Sequence, residues 1–227
     1  TRARKYADAA LGRLDAAETE AAIRDKRNKD LLMAYAIIPL KGEEDLIRRY
    51  LYLQQFLRES RQFGAQRSAS EKKAVETALR NLATNAGFSD TMRLTLRMET
   101  KLVEDNRELF EEKTVGEWTF CLVIDDRGMA EIHCRKDGKL LKSVPAKAKK
   151  EPCVLRRTDM KKQLTDQFRR TRRMFEQAME DGAVFTLEEM VQLCRNPVAA
   201  PVVTKLVFRS GEAYGFFDGV ALTNLDA

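Results

Sequence analysis

The sequence predicts an α+β fold, mostly helical. N-terminal helices precede a small antiparallel three-stranded meander covered by a long basic helix, and a second small sheet starts at the C-terminus. Three observations predict this. Up to Phe110 the apolar residues recur at spacings of three and four, the period of a helix face. At Gly116 the period changes to two, with Trp118, Phe120, Leu122 and Ile124 alternating and Ala130, Ile132 and Cys134 following suit. From Met160 through Leu164, Phe168, Thr171, Phe175 and Ala178/Met179 the helical period returns.

Residues 3–27 read as one helix whose thin stripe of Tyr6, Leu11, Leu14 and Ile23 suits a surface position. Asp30 reads as the cap of a short apolar helix, Leu31 to Ile38, stopped by Pro39. Glu43 to Phe63 carries a broad apolar face, including Leu46, Tyr50, Leu53 and Phe56, wide enough to be buried between neighbours. Gly64 to Ala69 has the composition of a linker. Ser68 with Glu71 then makes a capping box for a helix through Asn85, which Gly87 ends. Ser89 or Asp90 starts the next helix, marked by Met92, Leu96, Met98, Leu102, Val103 and Phe110. This divides the chain into a helical segment over 1–66, as at the end of a helical array, and an α+β domain over 67–227.

The first turn of the meander is a three-residue loop, Asp126 to Gly128, with Gly128 left-handed. Counting outward from Asp125 and Met129 sets Ile124 opposite Ala130, Leu122 opposite Ile132 and Phe120 opposite Cys134. All the apolar residues then share one face, and a slip of one residue would split them. Lys136-Asp137-Gly138 turns the chain into a third strand, Leu140 to Val144. The stripe of the 157–181 helix is the expected cover, and Gly182 ends that helix. Thr186 caps a short helix with Glu188 and Glu189 in its first turn, and Asn196-Pro197 starts another. Leu206-Val207-Phe208 reads as a buried strand, and turns at Ser210-Gly211 and Asp218-Gly219 frame a strand from Ala213 to Phe217.

No apolar run approaches the roughly 18 residues that would cross a bilayer, and no basic-then-apolar leader opens the chain. It begins at Thr1 and ends at Asp226-Ala227, and it reads as part of a longer protein. Cys121, Cys134, Cys153 and Cys194 form no CxxC pair, and His133 is the single histidine. That pattern suits buried, reduced thiols in a cytoplasmic protein and no metal site.

The net charge of +6 is uneven. Lys142 to Arg173 holds twelve Lys/Arg against three acids, a surplus of nine, while Glu99 to Glu112 holds six acids against two bases. A basic block of this kind neutralises phosphates without reading sequence. Its candidate polyanion-binding residues are Lys147, Lys149 and Lys150 in a mobile loop between Pro145 and Pro152, with Arg156, Arg157, Arg169, Arg170 and Arg173 on the helix. Few aromatics interleave with them, which disfavours stacking on single strands. Arginines all round a covering helix instead expect carboxylate partners within the chain, above all in Glu99 to Glu112, because the guanidinium fork matches a carboxylate.

A set of short motifs, in order, carries a family resemblance. Arg93-Leu94-Thr95, Arg97-Met98-Glu99 and Lys101-Leu102 lead to the strand Leu122-Val123-Ile124-Asp125. Lys136-Asp137-Gly138-Lys139, Leu141-Lys142-Ser143-Val144-Pro145 and Lys149-Lys150 follow. Arg172-Arg173-Met174 with Glu176 to Met179, then Phe185-Thr186, Asn196-Pro197 and Leu206-Val207-Phe208 complete the set. Together, over roughly Glu76 to Phe217, they resemble a bacterial family of unknown function that includes proteins labelled molybdate metabolism regulator-like (MolR-like). The resemblance implies a large multidomain protein, often with helical-repeat segments, in some members with a small nucleic-acid-associated module, and in some tied to systems built around ring-forming ATPases. This chain departs from the family at Phe185 and Phe208, where other members often have Trp, and at Asn196, where they have His. The family supplies no catalytic residues to carry over.

No arrangement in the sequence calls for catalysis. Asp125-Asp126 suits a hairpin turn, Glu188-Glu189 suits a helix start, and His133 and Cys134 point to opposite faces of one strand. No phosphate-binding glycine loop occurs. The sequence therefore expects no catalytic residue, cofactor or metal. It points first to an interaction or scaffold domain of a cytoplasmic bacterial protein, with partners in other domains of the same protein or other proteins and none in the membrane. Non-specific nucleic-acid binding through the basic block, as a regulatory module, is the alternative.

Overall fold

A computed structural model describes residues 1–224, so the end at Asp226-Ala227 lies outside the described residues. The fold is the expected mostly helical α+β arrangement with two small antiparallel sheets. The chain divides into two compact units, Thr1–Met98 and Glu99–Ala227, where the sequence reading drew its line at 66/67.

The first unit is helical: α1 (Arg2–Ala10), α2 (Ala16–Lys26), α3 (Lys29–Tyr35), α4 (Glu43–Glu59), α5 (Ala65–Asn85) and the start of α6 (Thr91–Glu104). The single helix expected over 3–27 is broken. Gly12 turns left-handed at φ +67°, and the Asp15 carboxylate restarts the helix by accepting the N–H groups of Ala17 and Glu18, each at 2.9 Å. Leu11 is left exposed while Ile23 is fully buried. Asn28, not Asp30, caps α3, accepting the Leu31 N–H at 3.1 Å. Residues 64–69 are no linker, because α5 begins at Ala65 and packs on α3 and α4. The Ser68–Glu71 box does not form, since Glu71 turns inward to Arg27 at 2.8 Å and Arg67 at 2.9 Å. Burial pushes the Glu71 carboxyl up, but those two guanidiniums outweigh it and hold the group below its ordinary range. Gly87 at φ +79° ends α5, and Asp90 starts α6 by accepting the Arg93 N–H at 2.8 Å, both as expected.

Arg49 on α4 is fully buried. Its guanidinium donates to the carbonyls of Tyr35, Ile38 and Pro39 at 3.1, 2.6 and 3.1 Å and to the Asp45 carboxylate at 3.1 and 2.6 Å. It thereby satisfies the carbonyls released where α3 ends ahead of Pro39.

The second unit begins with β1 (Lys113–Val115), β2 (Trp118–Ile124), β3 (Ala130–Lys136) and β4 (Lys139–Leu140), hydrogen-bonded in that order. The register is the expected one: Ile124 opposes Ala130, Leu122 opposes Ile132 and Phe120 opposes Cys134. Gly128 sits at φ +83°. The sheet has four strands where three were expected. The extra one, β1, joins β2 through Gly116-Glu117, with Gly116 at φ +61° as a type II′ hairpin turn needs. The last strand is shorter than Leu140–Val144, because after Leu140 the chain bends to pack Leu141 and Val144 on Phe120 and Cys134.

Helix α7 (Pro152–Glu180) starts five residues before the expected 157 and packs on β2 and β3. Met160, Leu164, Thr171, Phe175 and Ala178 are its buried stripe, and Gly182 at φ +62° follows its end. Next come α8 (Leu187–Cys194) and α9 (Ala200–Val203), then a second sheet of β5 (Val207–Ser210), β6 (Ala213–Phe217) and β7 (Leu222–Asn224). Thr186 and Glu189 form a full capping box for α8. Val207 departs from the buried strand expected at 206–208: it is 52% exposed at the sheet's edge strand.

All four cysteines are free thiols. Burial pushes the Cys121, Cys134 and Cys194 thiols up from their ordinary value. A disulfide-exchange reagent near neutral pH should therefore label Cys134, 1% exposed, at the rate of unfolding, and should count four thiols in denaturant. Immediate labelling of Cys134 in the folded protein would contradict this packing.

Candidate functional site

The structure separates the basic residues that the sequence groups together. Lys147, Lys149 and Lys150 are exposed, but their segment is ordered rather than a mobile loop. It forms a 3₁₀ turn, Ala148–Lys150, pinned by fully buried Ala148 and by hydrogen bonds from the Ala148 and Lys149 N–H groups to the Pro145 carbonyl at 3.0 and 3.2 Å. Arg156 pairs with Glu108 at 2.6 Å. Arg157 is 3% exposed and donates to the carbonyls of Cys153, Glu108 and Glu111 at 3.2, 3.4 and 2.9 Å, which leaves it no face for a phosphate.

Farther along α7, Arg170 pairs at 2.7 Å with Glu99, which is 1% exposed. Arg169 and Arg172 take partners on their own helix, Asp166 at 3.8 Å and Glu176 at 3.4 Å, and not in the 99–112 acidic segment as the charge blocks suggested. The reason is local: both acids lie three or four residues away on the same exposed helix face. Arg173 is exposed, with no ion-pair partner among the described residues. The rise of a helix puts Arg169 about 25 Å from Pro152, so the lysine turn and the Arg169/Arg173 pair are two footprints and not one.

A different set of residues comes together around Gly128. The Asp125 carboxylate accepts the N–H groups of Arg127 and Met129 at 3.0 and 2.8 Å, fixing the tip of the β2–β3 hairpin. Gly128 then packs so closely that a side chain there would meet the Val198 carbonyl at 3.0 Å and the Phe168 ring at 3.1 Å. Asn196, 1% exposed, accepts the N–H groups of Val198 and Ala199 at 2.9 and 3.4 Å and donates to the Thr100 hydroxyl at 3.3 Å. This caps the turn into α9, which begins at Ala200, three residues beyond the helix start that the sequence placed at Pro197. Hairpin tip, α7 and α9 thus hold one another at a shared point.

Between them lies a groove of about 440 Å³. Its floor is apolar: Phe168, Phe175 and Met179 from α7, and Pro201, Val202 and Leu206 from α9 and the turn after it. Its rim carries Arg127, Arg172 and Lys205, with one acid, Glu176, among the described lining residues. Glu176 is engaged by Arg172, whereas Arg127 and Lys205 have no ion-pair partner among the described residues. Sequence reasoning missed this site. It assigned Phe168 and Phe175 to the stripe that covers the sheet and read Arg127 as turn chemistry. The available signal was the run Phe168, Arg172, Phe175, Met179, which continues past the covering stripe onto its flank.

Among the described residues no group of three or more His, Cys, Asp or Glu could hold a metal ion, and no helix is long and apolar enough to cross a membrane. Residues 1–98 match the model of a family of unknown function (DUF5724), and residues 138–225 match that of a domain of unknown function (DUF4132). The first match ends where the first compact unit ends. No curated protein and no solved structure matches the chain.

Proposed function

We propose that this chain is a non-catalytic interaction segment of a large, multidomain, cytoplasmic bacterial protein of the MolR-like kind, and that it binds other domains or proteins through its second unit. The observation that carries the reading is the groove: an apolar floor beneath Arg127 and Lys205, two exposed cations that no acid among the described residues pairs with. Arg157 and Arg170 of the basic block are engaged within the chain, which leaves less charge for phosphate. Amine-reactive cross-linking of the protein isolated with its partners should concentrate links at Lys205 and at lysines along α7. Links spread evenly over the lysines of both units would speak against an interaction surface in the second unit.

One observation favours a second reading, a nucleic-acid-binding regulatory module: Lys147, Lys149 and Lys150 are exposed together on one ordered turn. Three lysines neutralising about three phosphates give a slope near +3 in log Kd against log salt, and a Kd no tighter than roughly 10⁻⁶ to 10⁻⁴ M at physiological salt. Fluorescence anisotropy on duplex DNA at several salt concentrations measures both. Sub-micromolar, sequence-dependent binding lost on Arg169→Ala and Arg173→Ala would put the nucleic-acid reading first.

A further inference from the structure

The geometry points to an acidic amphipathic helix of a partner protein as the occupant of the α7–α9 groove. The inference rests on the interaction reading above and names the chemistry of the partner. The groove is bounded on one side by α7 and on the other by the single turn of α9 and the segment that follows it. Along α7 it runs from Phe168 to Met179, about 16 Å at the rise of a helix, which is three turns. A ligand helix of that length presents anchors at i, i+4 and i+7 to an apolar floor, a common mode of peptide capture. The floor matches it: Phe168 and Phe175 lie seven residues apart on α7, and Val202 of α9 and Leu206 of the turn after it face them.

Charge decides the sign of the ligand. Arg127 stands on the hairpin tip at the Phe168 end, Lys205 in the turn after α9, and Arg172 between Phe168 and Phe175 on α7. Among the described lining residues one acid, Glu176, answers these three cations, and it is paired with Arg172. The rim therefore favours carboxylates flanking the apolar anchors and repels a basic helix with the same apolar face. Met179 is 68% exposed at the open end, a flexible side chain that can adjust to different anchors.

The test uses two 14-residue fluorescent peptides with the same apolar residues at i, i+4 and i+7, one carrying Glu and the other Lys at the flanking positions. The acidic peptide should bind the chain at least ~10-fold tighter than the basic one, and the preference should shrink with salt. Arg127→Glu with Lys205→Glu should invert that preference while leaving the circular dichroism unchanged, since both side chains are exposed. Val202→Asp should abolish binding of both peptides. Equal binding of the two peptides, binding of neither, or occupation of the groove by a second copy of the chain would overturn the proposal. The last would appear as a concentration-dependent dimer dissolved by Val202→Asp. If cross-links to natural partners still converge on Lys205 while both peptides fail, the interaction reading stands and this choice of ligand falls. If the cross-links fail as well, both fall.

Discussion

Arg49→Met is expected to destabilise the first unit by about 3–5 kcal/mol, the usual consequence of removing one partner of a buried charge pair. Methionine fills much of the volume but donates nothing. The carbonyls of Tyr35, in a fully buried residue, and of Pro39 then lose their bonds to Arg49, while the Ile38 carbonyl keeps only the Asn85 side-chain amide at 2.8 Å. Asp45 keeps Arg48 at 2.7 Å and the Lys41 N–H at 3.1 Å but loses its two bonds to Arg49. The neighbouring change Arg48→Met provides the comparison. Arg48 is 48% exposed, so its pairs are worth about 1 kcal/mol or less. Urea unfolding followed by far-ultraviolet circular dichroism measures both. Equal effects of the two substitutions would remove the structural role assigned to Arg49.

The pH dependence adds a second readout. Burial pushes the Asp45 carboxyl up, but Arg49, the Lys41 N–H and Arg48 outweigh it and hold the group below its ordinary value of 3.8. A depressed carboxyl contributes stability that is present above its unfolded pKa and is lost as the pH falls through the folded one. Without Arg49 much of that contribution is absent at every pH. The gap between wild type and Arg49→Met should therefore narrow as the pH drops below about 4.

Arg49 also illustrates what the sequence leaves illegible. Its main partners are backbone carbonyls, and acceptors of that kind have no residue signature. The β2–β3 hairpin was legible for the opposite reason. Its turn chemistry at Asp126–Gly128 and its period-two pattern name the same register independently, and each alone excludes the one-residue slip. Thr186 with Glu189 was legible because a capping box is local. β1 was missed because three residues carry too little alternation to register, although Gly116 marked its turn. The break at Gly12–Asp15 was missed because an alanine-rich pattern continues across it at helical spacing. As for the groove, its residues come from three separate segments, 127, 168–179 and 201–206. The packing of Gly128 against Phe168 and Val198 is one contact that joins those segments, and a contact between a glycine and a carbonyl cannot be read from a pattern of side chains.

That same contact makes Gly128→Val the second large effect, at about 3 kcal/mol. Two costs combine. A β-branched residue resists the left-handed conformation that the three-residue loop requires at φ +83°. Its Cβ would also lie 3.0 Å from the Val198 carbonyl, which is backbone and yields little, and 3.1 Å from the Phe168 ring. Gly128→Asn separates the two, because asparagine tolerates the left-handed region while still bringing a Cβ. Asparagine should therefore recover part of the loss and leave the contact cost. Combining either change with Phe168→Leu should then show coupling on the order of 1 kcal/mol, since the residues touch. Trp118, the chain's single tryptophan, lies on β2 of the same hairpin, so its fluorescence in a urea titration follows the loss directly. The acidic peptide should lose affinity for Gly128→Val even at urea concentrations where that variant remains folded, because a displaced hairpin tip carries Arg127 away from the rim. A fully tolerated Gly128→Val would mean that hairpin, α7 and α9 do not meet at this point, and the groove they frame would go with it.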